Sequence, residues 1–184
     1  MIRRYLSLRT PHQECTSLIN FLQDFAGPKG AYLLIDVDNT LCLRGDDRIH
    51  PLILQGLKTL RDKGEVRGIC LVSNVVSRSQ DRIDRVSRIA QTIGCPYVCA
   101  FWPELKPKAT PYRAALTKLG ALPGEAIMVG DQRLTDVLGA NRLGIRTVLV
   151  KPLGKDHVIT RPRRVWESQV VRTSRLFKVT SPPD

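Results

Sequence analysis

Five short apolar runs, set between stretches with helical periodicity, constrain the fold of this chain more than any other feature. The runs cover residues 31–35, 66–72, 97–101, 126–129 and 147–150. A continuous apolar run of this length suits a strand buried on both faces. Between the runs, apolar residues recur at helical spacing. Leu18, Ile19, Leu22 and Phe25 predict a helix over 12–25, ended by Gly27-Pro28. Leu52, Leu54, Leu57 and Leu60 predict one over 51–63, closed by Gly64. Residues 77–93 turn Ile83, Val86, Ile89, Ala90 and Ile93 inward and carry Arg78, Arg82, Arg85 and Arg88 outward beside Asp81 and Asp84. Thr110-Pro111 opens a helix to Leu119 with a capping threonine, and 135–143 forms another. Strands alternating with helices of this length imply parallel βαβ units. The expected fold is therefore α/β, a parallel sheet of about five strands with helices on both faces.

At 184 residues the chain fits one domain with a full core, and its 42% hydrophobic content is ordinary for a water-soluble fold. The charge is not ordinary. A formal +12 and a pI near 10.0 point to an anionic partner such as nucleic acid, an acidic membrane surface or a phosphorylated substrate. The alternative is a basic but inert surface. The five cysteines form no zinc-type pattern, because Cys95 and Cys99 lack a second Cys or His pair. They read as reduced thiols in an intracellular protein. No apolar run approaches the roughly 18 residues of a membrane span. The start, Met1 to Arg9, is Arg-rich without a long apolar centre. It fits no secretory signal, although a short organellar targeting segment would share its composition.

The first apolar run ends in Asp36-Val37-Asp38-Asn39-Thr40. Two carboxylates one residue apart repel each other, and a metal or a shared proton usually offsets this. The competing reading is a strand that ends in an ordinary Asp/Asn turn. Three further features follow other strands. Ser73-Asn74 could bind a phosphate oxygen or cap a helix. Lys106-Pro107 offers an ammonium that could neutralise phosphate and carboxylate together, with Lys108 as competitor. Asp131 and Asp136 flank a short turn, where they suit magnesium or cap the next helix. Ligands of open α/β sheets bind beyond the carboxyl ends of the strands, so the set converges on one edge. An acid pair, a Ser, a Lys and a second acid pair there are the equipment for phosphoryl transfer through an aspartyl-phosphate.

In these motifs the chain resembles the haloacid dehalogenase (HAD) phosphatase superfamily. Asp36-Val37-Asp38-Asn39-Thr40 matches its DxDxT motif, Ser73 its second motif, Lys106 its third, and Gly130-Asp131 with Asp136 its fourth. The stretches 34–41 and 129–144 are similar to the YqeG-like branch, which includes phosphatidylglycerophosphate phosphatases. Lys106-Pro107 with Tyr112 and Ala115 fits that branch and favours Lys106 over Lys108, while Val75 departs from it. The resemblance covers about residues 31–152 and implies a HAD-like, Rossmannoid core. It implies Asp36 as nucleophile and Asp38 as general acid and base. It also implies Mg2+ held by the Asp36 carboxylate, the Asp38 backbone carbonyl and Asp131, with Asp136 in support. Ser73, Asn74 and Lys106 would bind phosphate, and Asn39 and Thr40 would shape the first loop.

HAD enzymes select substrates through cap domains inserted after the first or third strand of the core. The stretches 42–50 and 101–106 are too short for one, so the resemblance implies a capless, open site. Three segments are expected: an N-terminal helix (1–30), the core (31–152) and a basic amphipathic helix and tail (153–184). From Lys151 onward eight basic residues face three acidic ones, a balance of +5. Ile159, Trp166, Val170 and Phe177 share one side of a helical wheel opposite Arg161, Arg164, Arg172 and Arg175. Such a helix can lie on an anionic bilayer or pack on the sheet. The expected activity is dephosphorylation of phosphatidylglycerophosphate by a protein peripheral on the inner, cytoplasmic face of a membrane. Phosphorylated nucleic-acid ends and a HAD-like binding protein without turnover are the alternatives. The low aromatic content of 5% disfavours base stacking.

Overall fold

The computed structural model describes residues 7–75 and 79–154. The expected C-terminal amphipathic helix, the Arg-rich start before Ser7 and residues 77–78 of the third predicted helix lie outside them.

Six parallel strands form one sheet, in the order β1-β6-β5-β2-β3-β4. They are β1 (Gln13–Cys15), β2 (Ala31–Ile35), β3 (Val66–Asn74), β4 (Tyr97–Ala100), β5 (Ala126–Gly130) and β6 (Arg146–Val150). The helices are α1 (Leu18–Gln23), α2 (Pro51–Asp62), α3 (Gln80–Ile93), α4 (Ala109–Leu119) and α5 (Leu138–Asn141). All five apolar runs are strands. The sixth strand corrects the expectation of a helix over 12–25. Gln13–Cys15 pairs with β6 along the sheet edge, and the helix begins only at Leu18, where the Ser17 hydroxyl accepts from the Asn20 N–H. Gln13, Glu14 and Cys15 on an edge form no apolar run, so this strand cannot be read from periodicity.

Successive strand residues face opposite ways and fill two cores. Leu33, Ile35, Ile69, Leu71, Ile127 and Val129 join Leu18, Phe21, Ile53, Leu57, Val86 and Ile89, which places α1, α2 and α3 on one face. Leu34, Cys70, Val72 and Met128 join Tyr112, Ala115, Leu116 and Ala140, which places α4 and α5 on the other. Thus β1 and α1 share the sheet and core of the rest.

From β2 the chain steps outward through β3 to β4, then returns to lay β5 and β6 on the opposite side of β2. Sequence order therefore reverses between β2 and β5. The crevice beyond the carboxyl ends of two such strands is where open α/β sheets bind ligands. Ile35 pairs with Val129 across this boundary, so the residues after β2 and after β5 emerge side by side. Between Ile35 and Pro51 there are only turns and one isolated bridge, Asp38 to Cys42, and residues 101–108 hold only turns. Neither connection contains a folded insertion.

Candidate active site

Asp36 follows β2 directly, and its backbone N–H still donates to Val129 O at 2.9 Å. The chain then coils tightly. Leu41 and Cys42 N–H both return to Val37 O, and Asn39 takes φ 64. That left-handed conformation is tolerated by Asn better than by most residues. The turn brings the Thr40 hydroxyl back over Asp36, 3.4 Å from Oδ2. Asn39 and Thr40 thus form part of the turn that follows Asp36.

Lys106 lies at the centre of the site and is only 2% exposed in its side chain. Its Nζ donates to Asp36 Oδ1 at 2.5 Å, Asp136 Oδ1 at 2.7 Å and Val72 O at 2.9 Å. These partners satisfy all three of its donors. Its backbone is held by Asn74, whose Oδ1 accepts the Lys106 N–H at 2.9 Å while Nδ2 donates to Lys106 O at 3.3 Å. The side chain expected to bind phosphate is thus committed to the lysine. Lys108 instead lies exposed with Glu104, 2.9 Å away. The expected helix cap at Thr110 is also corrected. The helix begins at Ala109 after Lys108, and the Thr110 hydroxyl donates to Glu104 at 2.7 Å.

Asp136 is placed by a π-helical turn, Arg133–Val137, in which Val137 N–H reaches Gln132 O. Such wide turns are often found at functional sites. The continuous helix expected over 135–143 is replaced by this turn followed by α5. The turn is held from α4 by the buried Tyr112 hydroxyl, which donates to Thr135 O. Gly130 is required beside it, since a Cβ there would collide with the Asp136 carboxylate.

Asp36, Asp131 and Asp136 are all buried, and they offer one carboxylate oxygen each within 4.8 Å of one another. With all four groups charged, three carboxylates and one ammonium sum to two negative charges. This balance and the hard oxygen donors fit a divalent cation such as Mg2+. Without one, Asp36 is pushed well above the ordinary carboxylate range. Burial raises it most, Lys106 draws it down, and Asp136 and Asp131 push it up again. Burial alone would depress the Lys106 ammonium, but Asp136 and Asp36 more than offset this and hold it above its usual value. Burial also raises the thiols, Cys42 to about 11 and Cys70 to about 12, which makes them poor nucleophiles at neutral pH.

Asp38 stands outside this cluster. Its Oδ1 accepts from Arg85 Nη2 at 2.5 Å. Arg85 was expected on the solvated face of its helix. Its side chain is only 13% exposed, and Nε also donates to Asp46 O at 3.0 Å, so it ties α3 to the loop after β2. Sequence reading missed this residue because helical spacing gives a face, not a partner. Asp38 and the buried Ser73 line one cleft.

The family model described as HAD-hydrolase-like matches residues 105–160. The chain is similar to the probable phosphatase YqeG of Bacillus subtilis, at 28% identity over 76% of this chain and 75% of that one. It is also similar to the mitochondrial phosphatidylglycerophosphatase GEP4 of Saccharomyces cerevisiae, at 28% identity over 65% of each chain. A HAD-like phosphatase from Mesorhizobium loti shares the fold, with a TM-score of 0.54 and 16% identity over 79% of this chain and 88% of that one. Together these similarities support a HAD superfamily phosphatase of the YqeG and GEP4 type.

Proposed function

We propose that this protein hydrolyses phosphomonoesters through an aspartyl-phosphate on Asp36, with phosphatidylglycerophosphate as its substrate. The observation that carries the chemistry is the buried group of Asp36, Asp131 and Asp136 around Lys106, at the point where strand order reverses. In the first step an Asp36 oxygen bonds to phosphorus while the ester P–O bond breaks. Asp38, protonated, gives its proton to the departing alkoxide. Asp38 then takes a proton from water, whose oxygen attacks the phosphoryl group, and phosphate leaves with Asp36 restored. Lys106 holds Asp36 in place and offers its positive charge to the phosphoryl oxygens, assisted by the Ser73 hydroxyl. Arg85 holds one Asp38 oxygen and leaves the other for the proton. A bound Mg2+, held by Asp36 and Asp131 with the Asp38 carbonyl and supported by Asp136, would supply charge neutralisation between carboxylate and phosphate.

The lipid substrate is supported by the similarity to GEP4 and by the +12 formal charge, which favours an anionic surface. Neither connection that could carry a cap contains a folded insertion, and an open site suits a bulky headgroup. Among the described residues no helix is long and apolar enough to cross a membrane. The proposed location is therefore peripheral, on the inner face. Phosphate release from phosphatidylglycerophosphate in mixed vesicles with Mg2+ tests the assignment, with p-nitrophenyl phosphate run in parallel. Lipid turnover supports it. Turnover of p-nitrophenyl phosphate alone removes the lipid and directs attention to phosphorylated nucleic-acid ends.

A further inference from the structure

Beside the phosphate site lies a cleft of about 270 Å³, close to the lower end of the size range of small-molecule pockets. Arg44 reaches it from the loop after β2, while Arg82, Arg85 and Arg88 reach it from one face of α3. Asp38, Asp81, Ser73 and Asn74 complete its polar lining. Two of the arginines are engaged, Arg85 with Asp38 and Arg88 with Asp47. Arg44 and Arg82 are exposed and form no ion pair among the described residues. Solvated arginines on a helix face are common. Here, however, they converge from two segments on a concavity that also holds the general acid and the phosphate-site serine. The four arginines outnumber the two carboxylates of the lining, Asp38 and Asp81, so the cleft keeps a positive balance that an anion would offset, and guanidinium groups match phosphate oxygens bidentately.

We propose that this cleft is a second anion subsite, which takes a phosphate or phosphodiester carried by the same substrate a few bonds from the scissile phosphomonoester. The inference rests on the phosphatase reading of Asp36 and Asp38, and it narrows the substrate class to molecules with two phosphate groups. Arg44 and Arg82 supply the contacts, and Arg85 links the subsite to Asp38. A three-carbon spacer between the two phosphorus groups matches a glycerol bridge.

Titration calorimetry of the full chain with Mg2+ tests this without requiring turnover. The probes are propane-1,3-bisphosphonate and propylphosphonate. Wild type is expected to bind the bisphosphonate at least about tenfold more tightly, the worth of one charge-assisted hydrogen bond. The double variant Arg44→Gln/Arg82→Gln is expected to lose that preference and keep its affinity for propylphosphonate. Equal affinities in wild type, or a preference that survives in the variant, would overturn the subsite. The phosphatase reading fails separately, if wild type hydrolyses neither lipid nor p-nitrophenyl phosphate. A bisphosphonate preference without lipid turnover would keep the subsite and remove only the lipid assignment.

Discussion

Asn74 uses both ends of its amide on the backbone of Lys106. That pairing explains how a lysine on a turn-only connection reaches the centre of the sheet edge in a fixed position. Asn74→Ala removes two hydrogen bonds and leaves Lys106 backbone groups to find other partners. It is expected to cost about 1–3 kcal/mol of stability and to lower kcat for p-nitrophenyl phosphate about tenfold, with KM raised. Steady-state kinetics and denaturant unfolding check both. Most of the site was legible at this scale. Asp36, Asp131, Asp136, Ser73 and Lys106 are all nameable because each follows an apolar run that is plain in the sequence, although β3 extends past its run to include Ser73. Asn74 and Arg85 were not legible in their observed roles. Their partners lie 32 and 47 positions away, and no local pattern encodes such pairings.

The Arg133–Val137 turn fixes Asp136 through three supports. Gln132 N–H donates to Asp136 Oδ2 at 3.0 Å, Tyr112 holds Thr135 O from α4, and Gly130 leaves room for the carboxylate. Gly130→Ala places a methyl group where Asp136 now sits. It is expected to lower Mg2+ affinity and kcat together by about tenfold or more, comparable to loss of a group that supports metal ligands. Magnesium titration of activity measures this, and unchanged Mg2+ dependence would show that the close approach is irrelevant. Apolar periodicity placed α2, α3 and β2 through β6. It ran α1 across β1 and smoothed the wide turn into a plain helix. Both misreadings have one cause, since a three-residue edge strand and a single π-helical turn depend on hydrogen-bond partners rather than on side-chain spacing.

Across the whole molecule, a divalent cation held by the buried acidic group would couple folding to cation binding. Unfolded Asp36 releases its proton near 3.8, whereas burial with Asp136 and Asp131 outweighs Lys106 and makes the folded chain keep it to higher pH. The stability that this proton contributes is present below 3.8 and is lost as pH rises through the higher folded value. A divalent cation competes with that proton. The gain in Tm from saturating Mg2+ should therefore grow as pH rises above 3.8, as differential scanning calorimetry would show. A gain independent of pH would argue that the cation does not bind at Asp36. The order of the sheet explains why distant sequence segments meet here. Reversal between β2 and β5 places Asp36 beside Asp131; the alternation of strands and helices implies that the motifs share one sheet edge, but not this strand order.

The central claim is that Asp36 is the nucleophile. Its most direct test is an acid quench of wild type during turnover of p-nitrophenyl phosphate with Mg2+, followed by mass spectrometry of the peptide that contains Asp36. The account predicts a phosphoryl adduct on Asp36, and loss of both adduct and turnover, by at least about a thousandfold, in Asp36→Asn. Phosphate release that persists in Asp36→Asn would contradict it.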